Sequence, residues 1–125
     1  MEHIYKSIAG FVYAFQRTHF ELQQLLVQLD GRAPRYAQEA PDPVEFQAEV
    51  AQAQAVLAAL PLPASERDVL DILAAGLDEV ARLYQRLTLA DFKLPEREIA
   101  QATEACRKTQ HLLRHCGQLV AGRKA

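Results

Sequence analysis

Residues 4–30 read IYKSIAGFVYAFQRTHFELQQLLVQLD, with one glycine, no proline and few charges. Ile4, Ile8, Phe11, Phe15, Thr18, Leu22, Leu25 and Leu29 follow one another at alternating spacings of four and three. Such a heptad line places one apolar seam on a helix and keeps it facing a nearly parallel neighbour. Gly31 stands where a left-handed C-terminal cap is expected. The first helix is therefore predicted over 4–30.

Three further segments repeat the pattern, separated by the proline-bearing stretches GRAPRYAQEAPDP (31–43), LPLPAS (60–65) and Pro95. The second helix is expected over 43–59, capped by Asp42, with Pro43 in its first turn and a seam of Phe46, Val50, Ala53, Leu57 and Leu60. The third is expected over 66–88. Ser65 and Asp68 resemble a capping box, and Val69, Leu73, Gly76, Val80, Leu83 and Leu87 form the seam. The fourth is expected over 95–121, with Ile99, Ala102, Cys106, Thr109, Leu113, Cys116 and Val120 facing inward. Spacings of three and four ask for packing at about 20°, so one all-α domain over 1–125 is predicted. Its architecture is an antiparallel four-helix bundle with heptad-spaced seams, the long first connection being able to cross the bundle end. The first and fourth helices are expected to project beyond the other two.

Composition agrees with a packed domain. Hydrophobic residues make up 50% of the 125 positions and charged residues 24%, with a net charge of −2. A disordered chain or a strongly basic nucleic-acid binder is excluded on these grounds. No apolar run reaches the roughly 18 residues of a membrane span. The opening MEHIYKS has neither a basic nor an apolar leader region, so the cytoplasm is the expected location. Cys106 and Cys116 lie about 15 Å apart along one helix, too far to bridge, which suits a reducing compartment.

Chemistry-bearing patterns are sparse. Inward Glu-x-x-His pairs, the mark of di-iron bundles, do not occur, and Glu45, Glu49, Glu66, Asp78, Glu79 and Glu104 all fall off the seams. His111 and His115 have the i, i+4 spacing of a metal pair, yet their neighbours Arg107, Lys108 and Arg114 are cationic and a third ligand is missing. Neither cysteine has a histidine three or four residues away, and there is no glycine-rich phosphate loop. No catalytic residue, metal or cofactor is expected. Thr18 and Thr109 are the only polar seam residues, each expected to bond its own helix one turn back. The small seam residues Ala53, Gly76 and Ala102 mark either close helix approach or an apolar ligand cavity. Exposed His111 leaves a phosphotransfer role as a further alternative, although the glycine that would admit a partner is absent.

Two surface features remain. Residues 107–125 carry five basic side chains and no acid, while the rest of the chain carries a net −7. Arg107, Lys108, His111, Arg114 and His115 thus form a candidate basic docking face for an acidic partner protein, nucleic acid being the weaker match. The first helix is also too apolar for a simple bundle member. Tyr5, Val12 and Leu26 are expected to widen its buried stripe. Tyr13, Phe20 and Val27 recur every seven residues nearly opposite the seam, flanked by Gln16, Gln23 and Gln24. Such residues either lie under the long connection, with its Tyr36, or form an interface. The expectation is a non-enzymatic interaction module, homodimeric through the first helix.

Overall fold

The computed structural model describes residues 2–30 and 41–124. Among them are four α-helices and no strand: α1 (Glu2–Asp30), α2 (Pro43–Ala58), α3 (Ala64–Leu89) and α4 (Glu96–Lys124). The chain builds an all-α bundle. Gly31 and Tyr36 lie outside the described residues.

Three seams form as their spacing dictates. In α1, Phe11, Phe15, Thr18, Leu22 and Leu25 are buried, with Ile4, Ile8 and Leu29 packed at the margin of the core. In α2, Phe46, Val50, Ala53 and Leu57 are buried, and every seam residue of α4 is buried. The α3 seam is rotated from expectation. It runs Leu70, Leu73, Leu77, Val80 and Leu87, with Tyr84 completing the line, while Val69 and Leu83 lie only at its edge. Both lines share Leu73, Val80 and Leu87. The choice between them falls to packing, because the side that carries Leu70, Leu77 and Tyr84 offers larger side chains than the side with Gly76.

Asp42 caps α2 through its Oδ1, which accepts from the Glu45 amide at 2.8 Å. Ser65 does not cap α3. That helix starts two residues earlier than expected, at Ala64 after Pro63, with no side-chain cap. The far end of α2 has no basic residue in its last turn, and Arg67 of α3 supplies one from outside, donating to the Leu57 and Leu60 carbonyls. α3 ends by turning left-handed at Asp91 (φ 53°) and Phe92 (φ 59°), and the Phe92 amide reaches back to the Leu87 carbonyl at 2.8 Å.

Long-range bonds fix the helix directions. Ser7 meets Glu96, Thr18 meets Cys106 and Gln28 meets Gly117, so α1 runs parallel to α4. α3 runs antiparallel to both neighbours, shown by Arg86–Glu98 toward α4 and by Gln47–Gln85 and Gln54–Ala74 toward α2. α1 and α2 therefore point the same way, unlike the antiparallel neighbours expected, and the possible crossing of the bundle end by the first connection falls on residues 31–40, outside those described. Around the bundle the order is α1, α4, α3, α2. The closest interface is between α1 and α4, where Ala14 and Thr18 meet Cys106 and Gln110. α1 and α2 touch least, held apart by aromatic rings: Phe46 stands 4.9 Å from Phe15 and Tyr84 stands 4.0 Å from Phe15.

Helix lengths correct a second expectation. α1 and α4 have 29 residues each and α3 has 26, so only α2, with 16, is short. It begins level with Phe15 and His19, on which Phe46 packs. Among the described residues, no helix flanks α1 on this side below that level.

Of the two polar seam residues, Thr18 bonds both within its helix and across the interface. The Thr18 hydroxyl lies 2.8 Å from the Ala14 carbonyl, as its own-helix bond requires, and 3.1 Å from the Cys106 carbonyl across the interface. Gln110 donates from Nε2 to the Ala14 carbonyl at 2.9 Å and to Thr18 Oγ1 at 3.2 Å. A cross-helix polar layer thus ties α1 to α4 at one register.

Candidate interaction surfaces

The outward face of α1 follows from the shortness of α2. Tyr5 is 67% exposed and Val12 is 38% exposed. Both were expected to widen the buried stripe, and both are bare because α2 starts above them. Leu26, about two turns above His19, is buried. Beside this bare flank Tyr13 is 68% exposed and Phe20 is 43% exposed. Gln16 and Gln24 are exposed as well, whereas Gln23 and Val27 are partly buried. Arg17 places its guanidinium 5.6 Å from the Phe20 ring centre and 3.6 Å from Glu21, so Phe20 carries one cation on its face. Four of the seven large hydrophobic side chains exposed among the described residues belong to this one helix.

Sequence reasoning missed His19. It lies in the same seven-residue series as Tyr5, Val12 and Leu26, which was the available signal. Its ring is buried, nearly parallel to Phe15 and edge-on to Phe46, and Nε2 lies 2.7 Å from Glu49 Oε2 on α2.

The basic face is in place on α4. Arg107, Lys108, His111, Arg114 and His115 are all exposed. Arg114 is already engaged, donating from Nε to Glu21 Oε1 at 3.1 Å and so joining α4 to α1.

The alternatives gain nothing from the geometry. At Gly76 the space is filled: an added Cβ would meet Thr109 Oγ1 at 3.0 Å and Leu112 Cδ1 at 3.8 Å. Ala53 and Ala102 are fully enclosed in the same core. Close helix approach therefore accounts for Gly76. Both cysteines are free and buried, and burial pushes Cys106 up to about 12 and Cys116 up to about 11. Thiols so placed are poor nucleophiles. No group of three His, Cys, Asp or Glu residues gathers among the described residues. None of the described helices is long and apolar enough to cross a membrane. No protein-family model matches this chain, and no curated protein or solved structure matches it.

Proposed function

We propose that this chain is a non-enzymatic interaction module of the cytoplasm, a homodimer formed through the outward face of α1 that recruits another protein. The observation that carries this reading is the row Tyr5, Val12, Tyr13 and Phe20, exposed on one helix where a surface helix should be polar. Gln16 and Gln23 border the row and supply hydrogen-bonding groups that can pair across a two-fold axis. Two unbridged, buried cysteines suit a reducing compartment.

The test is the native mass of wild type and of Tyr13→Glu and Phe20→Glu. Wild type is expected at twice 14.0 kDa, and each variant at 14.0 kDa with its helical circular dichroism unchanged. A wild-type monomer, or a dimer that both variants leave intact, overturns the reading.

A further inference from the structure

Arg107, Lys108, His111 and His115 are exposed on the outer arc of α4, and none pairs with a carboxylate among the described residues. Four other guanidinium groups are occupied. Arg17 and Arg114 share Glu21, Arg67 holds the end of α2, and Arg86 bonds Glu98 at 2.8 Å. Lys6, Arg82, Lys93 and Arg97 are unpaired too, but they are scattered singly over α1, α3, α4 and the 90–95 turn. Among the described residues, only the α4 arc gathers its free cations. The helix dipole does not call for them there. Its effect fades within the last turn, and His115 stops more than two turns short of Lys124, where α4 ends.

An apolar neighbour completes the surface. Ile72, Glu79 and Arg86 recur every seven residues on α3, and Arg86 reaches Glu98 of α4. That line therefore borders the α3/α4 groove. Gly76 lies opposite Thr109 and Leu112, so Ile72, one turn before it, is level with residues 113–116 of the antiparallel α4. Ile72 is 58% exposed.

We propose that this arc, with Ile72 at its edge, docks an acidic amphipathic helix of a partner protein. This deepens the reading of the chain as a recruiting module. Lys108, His111 and His115 lie at i, i+3 and i+7, with Arg107 on the adjoining line, so carboxylates repeating at helical spacing can meet them in sequence. A leucine on the same helix can rest on Ile72. A nucleic-acid backbone fits less well. The arc is only about 12 Å long and bears no Phe, Tyr or Trp on which a base could stack.

The experiment titrates full-length protein against a fluorescein-labelled peptide, two repeats of Glu-Leu-Glu-Glu-Leu-Ala-Glu, by anisotropy at low salt. Wild type and the Phe20→Glu variant should bind alike, which separates docking from self-association. Arg107→Glu/Lys108→Glu should weaken binding about tenfold or more. Arg82→Glu/Arg97→Glu, with the same net charge, should bind as wild type, and Ile72→Ser should weaken binding with salt dependence unchanged. Circular dichroism confirms that each variant folds. Equal loss in both charge-reversed pairs would reduce the effect to net charge and overturn the site. So would absent binding, or a duplex DNA of similar charge that binds more tightly than the peptide.

Discussion

His19 on α1 and Glu49 on α2 meet at 2.7 Å between the two helices that touch least. The imidazole is stacked on Phe15, so its Nε2 is aimed by packing before Glu49 arrives. Glu49 is the more exposed partner and can turn to water when the bond is lost. Glu49→Ala should therefore cost only about 1 kcal/mol, whereas His19→Ala, which also removes a buried ring, should cost about 2–3 kcal/mol. Urea unfolding measures both. Hydrogen exchange should show α2 amides opening ahead of α1 and α4 in each variant, and uniform loosening of all four helices would refute this picture of the α1–α2 contact.

The buried thiols set an alkaline limit to stability. Burial raises Cys106 to about 12 and Cys116 to about 11 against an ordinary value of 9.0. Burial, then the charges of Asp42 and Glu45, raise Tyr84 in the same direction from 10.0. The unfolded chain thus loses these protons first as pH rises, and binds fewer protons than the folded chain. Stability is fully present below pH 9 and falls above it, by up to about 1.4 kcal/mol per pH unit for each thiol that titrates only on unfolding. Denaturant midpoints between pH 8 and 11 should fall, and Cys106→Ala should flatten the slope while lowering stability at pH 8. A disulfide reagent at pH 8 should label either cysteine only at the rate of unfolding.

The seams of α1, α2 and α4 are legible in the sequence because each helix offers one apolar line and no competitor. On α3 two lines differ by a small rotation, and only the partners choose between them. Tyr84 decides it, since its ring packs on Phe15 while its hydroxyl donates to the Pro41 carbonyl at 2.6 Å. Both partners lie far away in sequence. Tyr5 and Val12 were misplaced for a related reason: periodicity marks a face as apolar but says nothing about where the covering helix begins. The five basic residues of α4 were placed correctly on its surface. That Arg114 alone would be taken by Glu21 depended on the parallel pairing of α1 with α4, which local pattern does not reveal.

Two glycines should respond in opposite ways to the same substitution. An added Cβ at Gly10 meets nothing within 4 Å, so Gly10→Ala should stabilise by about 0.5–1 kcal/mol through helix propensity alone. At Gly76 the new methyl would press on Thr109 Oγ1 at 3.0 Å, in the interface of α3 with α4. Gly76→Ala should therefore lower stability despite the propensity gain. Thr109→Ala in the same chain should recover much of the loss, giving a coupling of about 0.5–2 kcal/mol in a double-mutant cycle. Additive effects would mean that the methyl is accommodated elsewhere.

The turn after α3 carries two left-handed residues of unequal worth. Asp91, at φ 53°, is exposed and makes no side-chain bond that favours this conformation over glycine's. Phe92, at φ 59°, accepts the same backbone cost, but its ring lies 6.0 Å from Phe11 and closes the lower end of the core. Asp91→Gly should thus stabilise by about 0.5–1 kcal/mol, the relief in the folded state outweighing the added freedom of the unfolded chain. Phe92→Gly relieves the same strain and loses the ring, so it should destabilise by about 2 kcal/mol or more. Thermal unfolding of the two variants separates the terms: a rise in Tm for Asp91→Gly and a fall for Phe92→Gly show that packing on Phe11 holds the strained residue in place. A rise for both would show instead that backbone strain governs this turn.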